Sequence, residues 1–474
     1  MKTKQLLCAL VLVATVVCVP AAWPQQKDPR VNPPATPYPP LSPGESSSTT
    51  SSTPGAAPAP QAPDKRPLTG VEDFTLGSSS GKRSYIVPTF RVDSRADTNS
   101  TNQPGVSRQW NDVSTFLGRV SLEKIWSRYK LAANYAAGGV FYSSRRGSQK
   151  PIHSLAVSQT ISGRRWSTLL SNSFSYLPES PFGFGGLGTS LGGTSQIPNI
   201  NPNFNVNQTI LTGIGGRISD TAFVQSSYQM GGRSSLTGAA SFGLLRFLDQ
   251  GLFGSNQHVY SMGYEYKLRE QDSLSVSYGA SLIRFLDGRQ GFDNHTVSLG
   301  YGRRITGRLA TRTLVGAQFS KFSNPLSGPS TRNAWNLNST LTYQFQETTL
   351  SLAYSHFTNG GGGALRGAES DVVTTAMGRK LSRLWSAGWN FRYAHNQSLK
   401  QTNAGSARTF NTWNTGFTLR RPVGRYAAIN FDYNFQWQNS NTAFCINGSC
   451  GLRTLRHQFG MGFNWSLRPL EIED

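Results

Sequence analysis

Long apolar runs are what this sequence most lacks. Beyond the first 21 residues no stretch approaches the roughly 18 apolar residues of a membrane helix, so any membrane span in the chain has to be a closed barrel of strands. Cysteine is scarce too, with four in 474 residues. Cys8 and Cys18 lie in the N-terminal MKTKQLLCALVLVATVVCVPAAWPQQ, which has the lysines, apolar run and small residues of a secretory signal cut near Ala21. Cys18 follows Thr15-Val16-Val17, without the triplet that marks a lipidation signal. Cys445 and Cys450 bracket Ile-Asn-Gly-Ser, in which Asn447-Gly448 is a turn signal. Export to an oxidising compartment implies a disulfide capping a hairpin there. With no further ligands adjacent, the pair does not read as a metal site.

Acidic residues are few. Twenty-four Asp and Glu face 46 Lys and Arg, a formal charge of +22. In a cytosolic protein that balance would suggest nucleic acid. In an exported chain it points instead to phosphorylated lipid headgroups or to anions in a pore, and no nucleic-acid partner is expected. Residues 22–82 are rich in Pro, Ser, Thr and Ala, a composition that cannot bury enough apolar surface to order itself. They read as a disordered periplasmic linker, and attachment to or passage through peptidoglycan is its functional alternative.

What the remaining chain does have is alternation. In YAAINFDYNFQWQN, Ile429, Phe431, Tyr433, Phe435 and Trp437 share one face of a strand, and Asn430, Asp432, Asn434, Gln436 and Gln438 the other. The pattern recurs from His457 to Leu467, from Trp335 to Gln346 and from Leu274 to Leu282. The polar face is small or amide-like throughout, which suits a hydrated interior better than the surface of a compact soluble domain. Eighteen strands are counted, the first over 84–93 and the last over 454–467, with sixteen as the alternative because 178–235 is hard to partition. The expected fold is an all-β transmembrane antiparallel up-and-down β-barrel over 83–467, followed by a periplasmic tail at 468–474. An even strand number puts both ends on the periplasmic side. A weak repeat of about one hairpin links Arg246–Asp249 to Arg284–Asp287 and His258–Tyr264 to His295–Tyr301.

Motifs of soluble enzymes occur out of context. GxGxxG at Gly183–Gly188 and GxSxG at Gly188–Gly192 both need a strand feeding a helix, and here they lie in a loop rich in Gly, Asn, Ser and Pro. The six histidines fall near the outer ends of different strands, so they are dispersed around a circumference and read as interfacial residues rather than metal ligands. No compact set of Ser, His and Asp is found at matching heights, and neither catalysis nor a cofactor is expected.

With signal peptide, alternating strands, short turns on one side and a final aromatic strand, residues 83–467 resemble a Gram-negative outer-membrane β-barrel of the porin-like kind. The resemblance implies contact with outer-membrane lipids and lipopolysaccharide, and insertion by the outer-membrane assembly machinery. The chain departs from the pattern of a terminal Phe by continuing into RPLEIED. It also implies that the long loop after the fifth strand, holding Pro178-Glu179-Ser180-Pro181-Phe182-Gly183-Phe184, folds inward as a constriction carrying Glu179, Phe182 and Phe184.

Parity then assigns the charges. Lys267, Arg304, Arg312, Lys380, Arg392 and Arg420 are expected to face the lumen, with Glu265 and Asp432 as its main carboxylates. Arg246 and Arg284 are expected to face lipid headgroups, and Arg164, Arg165, Arg303 and Arg421 lie by periplasmic turns. The implied function is passive diffusion of small hydrophilic solutes with a weak anion preference. The alternative is a structural or export-assembly barrel without free solute flux.

Overall fold

The computed structural model describes residues 84–472, apart from 100–109, 144–149, 178–208, 211–215, 249–251, 287–290, 324–330, 346, 361, 364, 402–406, 443–444, 447–448 and 452. The secretory signal and nearly all of the Pro-rich linker lie outside the described residues. Eighteen strands make the wall: β1 Tyr85–Asp97, β2 Asn111–Ile125, β3 Tyr129–Tyr142, β4 Lys150–Ser162, β5 Trp166–Leu177, β6 Arg217–Gln229, β7 Ser234–Phe247, β8 Ser255–Lys267, β9 Asp272–Phe285, β10 Gly291–Arg304, β11 Leu309–Ser323, β12 Thr331–Gln344, β13 Thr348–Asn359, β14 Ala368–Lys380, β15 Ser386–Gln401, β16 Ala407–Val423, β17 Ala427–Ser440 and β18 Arg453–Ser466. Each pairs antiparallel with the next, and β1 pairs with β18 from Thr89↔Ser466 to Asp97↔Gln458, which closes the sheet. The sixteen-strand alternative is excluded. Leu470–Glu471 extends the seam by pairing with Tyr85 and Ile86, so the sheet continues past residue 467.

Alternation decides which face meets what. On β17, Asn430, Gln436 and Gln438 point inward and are buried, while Phe431 points outward and is exposed. The outward face carries Val276, Val297, Leu299, Val315 and Met461 along its middle. Toward the short turns it carries Trp126, Trp166, Tyr228, Tyr266, Tyr301 and Trp465, all exposed. Lys124 lies over the Trp126 ring, Arg308 over Phe345 and Arg421 over Trp385, at 5.1 to 5.3 Å from the ring centroids. Such a band of aliphatic side chains flanked by aromatics and cations is unfavourable in water and favourable across a bilayer. The chain is a closed membrane-spanning β-barrel of the outer-membrane kind.

All six histidines, His153, His258, His295, His356, His395 and His457, take the outward face toward the long-loop end. Tyr135, Tyr278 and Tyr433 hydroxyls meet the Nδ1 atoms of His153, His295 and His457 at 3.2, 2.8 and 3.1 Å.

Candidate functional site: the barrel lumen

The inward face is built largely of Ser, Thr, Asn, Gln and Gly, with a buried apolar cluster, Val113, Leu117, Ala136, Val140, Ile152 and Ala156, on the inward parity of β2 to β4. The six basic residues expected there all have inward parity, but most sit low in the barrel. Lys267, Arg304 and Lys380 are the last residues of β8, β10 and β14, and Arg304 is exposed. Arg312 and Arg420 lie within four residues of the same end, and Arg392 is the one placed higher on its strand. Glu265 is buried, with Arg312 and Lys267 close enough to interact with it electrostatically and the Ser273 side chain hydrogen-bonded to it.

A second charged wall was not anticipated. Strand β1 extends four residues beyond the expected end at 93 and points Arg91, Asp93, Arg95 and Asp97 inward, all at most 5% exposed. Arg91 Nε lies 2.5 Å from Asp93 Oδ2, and Arg95 Nε 3.3 Å from Asp432 Oδ2. Asp432 is therefore a paired carboxylate rather than a free acidic site. Beside it, Arg456 of β18 and Asp97 form a buried ion pair, to which Gln458 Nε2 donates at 2.9 Å. On β2, Glu123 accepts from the Tyr85 hydroxyl at 2.7 Å and meets Lys130 Nζ at 2.9 Å. The lumen thus holds three carboxylates beyond Glu265 and Asp432, each beside a cation or hydrogen-bond donor as buried charge requires. The signal that could have found this wall is the alternation of RVDSRAD itself and the backward extension of the Gln458, Gly460 parity to Arg456.

At the long-loop end the lumen changes character. Between β13 and β14 the chain folds inward. Thr358 N donates to Gln318 Oε1 at 3.4 Å, and a Cβ at Gly360 would lie 3.1 Å from Gln257 Nε2 of β8. Gly367, at φ +80°, takes a left-handed conformation, donates to Gly360 O at 2.9 Å and accepts from Leu399 N at 3.2 Å. Leu365 is buried, and the Arg366 guanidinium lies 4.1 Å from the centre of the Phe253 ring. Ile283, Phe285 and Phe292 pack together with Phe253, Phe322 and Leu399, and Phe357 packs with Val372 and Ala394. The backbone of Gly362–Gly363 pairs in parallel with Thr209–Ile210 from the loop after β5. That loop was the expected constriction, and its Glu179, Phe182 and Phe184 lie outside the described residues. The described inward loop is the one after β13.

Outside the barrel, Arg246 and Arg284 are exposed on the lipid-facing parity at the loop ends of β7 and β9. Arg284 is also engaged by the protein: its Nη1 lies 2.6 Å from Asp293 Oδ1 and donates to the Ile283 and Phe292 carbonyls at 3.0 and 3.3 Å. Cys445 and Cys450 stand directly opposite each other in a two-residue antiparallel ladder. Among the described residues no group of three or more His, Cys, Asp and Glu could hold a metal ion.

No protein-family description matches the chain, and no curated protein does. Among the solved structures it is similar to are crystal structures of three Pseudomonas aeruginosa proteins. OpdQ is 10% identical with a TM-score of 0.43, the match covering 82% of this chain and 100% of that one. OpdK with vanillate is 10% identical at 0.42, covering 81% and 98%. OprD is 11% identical at 0.40, covering 82% and 96%. The functional reading rests on the barrel's own side chains.

Proposed function

We propose that the chain is an outer-membrane channel for passive diffusion of small hydrophilic solutes, with a weak preference for anions. The observation that carries this reading is the inward face, which is amide- and hydroxyl-lined and has more fixed cations than carboxylates. Arg91, Arg95, Arg217, Arg312, Arg392, Arg420 and Arg456 point inward, against Asp93, Asp97, Glu123, Glu265 and Asp432. Pairing cancels much of this charge, so the surplus is modest and any selectivity is weak. Lys267, Arg304 and Lys380 add cations at the periplasmic exit, where they raise the local anion concentration within a Debye length of about 8 Å at physiological salt.

Phosphorylated outer-membrane lipids, including lipopolysaccharide, are the surroundings proposed for Arg246 and Arg284, with the assembly machinery acting on insertion. The linker at 22–82 is proposed to reach through or onto peptidoglycan. A second reading, a structural barrel without free flux, is favoured by the apolar packing of Leu365, Phe292 and Phe357 in the outer mouth. Single-channel recording of the purified protein in planar bilayers separates the two. Stepwise conductance is expected, and its absence at saturating insertion would support the structural barrel.

A further inference from the structure

Between β12 and β13 the hydrogen-bonded wall parts. Pairing of β12 with β13 runs from Gln344↔Thr349 only as far as Leu337↔His356. Beyond that, Thr331–Asn336 of β12 is in ladder with β11 and not with β13, and Phe357–Asn359 of β13 with β14 and not with β12. Unpaired backbone away from water is costly, and side chains stand in for the missing ladder. Gln318 accepts from the Thr358 N–H on the lumen side. On the lipid side the Trp335 and His356 rings stack at 4.0 Å and 11°. His356 Nε2 lies 3.1 Å from Glu369 Oε1, and Arg332 reaches over from β12 to form an ion pair with the same carboxylate. Contacts of this kind release by side-chain rotation, whereas a strand ladder has to unzip.

Directly behind the parting lie Phe357 and the apolar side chains of the mouth, Ile283, Phe285 and Phe292. A pore for hydrophilic solutes has no use for such a lining, and an apolar solute arriving from the outer leaflet does. Arg366 over Phe253 supplies a cation for a polar head. We propose that the parting between β12 and β13 is a lateral port, latched by Arg332–Glu369 and Trp335–His356. It passes an amphiphile with an anionic head and an apolar or aromatic body between the outer leaflet and the barrel mouth. Onward movement to the periplasm rests on the channel reading above.

The test uses the full barrel in liposomes and, as probe, a dansyl-labelled alkyl sulfonate, whose permanent charge prevents unaided crossing. Arg332→Cys/Glu369→Cys, with Cys445 and Cys450 changed to Ser, is joined by a short bismaleimide or capped singly with N-ethylmaleimide. Joining is expected to cut probe entry about tenfold relative to capping, with potassium chloride conductance of the same preparation unchanged. Arg332→Ala, alone in the native sequence, is expected to raise probe entry severalfold. Equal entry in the joined and capped forms, or unchanged entry in Arg332→Ala, overturns the port. Loss of conductance with latch-dependent probe entry would overturn the channel reading and leave the port standing. Conductance with latch-independent entry would do the reverse.

Discussion

Arg456 Nε donates to Asp97 Oδ1 at 2.9 Å and to Oδ2 at 2.8 Å, tying the last strand to the first across the closing seam. Neither side chain is more than 2% exposed. The two residues lie 359 positions apart, so this contact forms only when the barrel closes. Removing one partner leaves the other as an uncompensated buried charge, so Arg456→Met or Asp97→Leu alone is expected to cost about 3–5 kcal/mol. The double replacement is expected to recover most of that loss. Urea unfolding of refolded protein followed by tryptophan fluorescence measures all three, and additive losses in the double variant would contradict a coupled pair.

Next to the seam, two glycines of β18 make room for carboxylates from its neighbours. A Cβ at Gly462 would lie 2.1 Å from Asp93 Oδ1, and one at Gly460 2.5 Å from Asp432 Oδ2. Gly462→Ala is expected to destabilise by about 1–3 kcal/mol through overpacking. Measured in an Asp93→Ser background, which itself costs stability by taking the carboxylate from beside buried Arg91, the same glycine replacement should add little further loss, because the obstructing carboxylate is gone. A cost that stays the same in both backgrounds would place the clash elsewhere.

Much of this architecture was legible in the sequence, and the exceptions have physical reasons. Outward aromatics and inward amides give period-two patterns that favour eighteen strands, with sixteen left open by the stretch 178–235, and that put Arg392 and Arg420 on the inward parity. Strand β1 resists that reading because its inward positions are charged and its outward ones include Ser94 and Ala96, so RVDSRAD looks like the start of a polar loop. Arg95 and Asp97 pair with Asp432 of β17 and Arg456 of β18, which no local pattern reveals. The inward loop after β13 is equally silent. FTNGGGGALRG reads as an ordinary glycine-rich loop until Arg366 meets Phe253 and Gly367 approaches Phe292, residues far away in sequence. The early end of the β12–β13 ladder left no sequence signal that we can identify.

The inward loop makes a direct prediction about pore size. Removing residues 361–366 takes away the buried Leu365 and the Arg366–Phe253 contact while leaving Gly360 and Gly367 to close the connection. Single-channel conductance is expected to rise, by about twofold if this loop sets the narrowest section. An unchanged conductance would locate the constriction elsewhere.

Cys445 and Cys450 are cross-strand partners in their small ladder. Directly opposed residues of an antiparallel pair have Cα atoms roughly 4.5–5.5 Å apart, inside the range a disulfide spans. The mature protein is therefore expected to show no free thiol without reductant and two after it. Quantitative maleimide labelling of denatured protein reads the number directly, and two reactive thiols before reduction would end the idea.

The measurement closest to the central claim is the reversal potential of the purified barrel in a planar bilayer under a potassium chloride gradient. The account predicts chloride permeability modestly above that of potassium, with the preference fading as salt rises because screening shortens the reach of the lumen cations. Arg392→Glu, on the lumen face above the short-turn rim, should shift the potential toward cation preference. Clear cation preference in the native protein would contradict the account, and so would a barrel that inserts and conducts nothing.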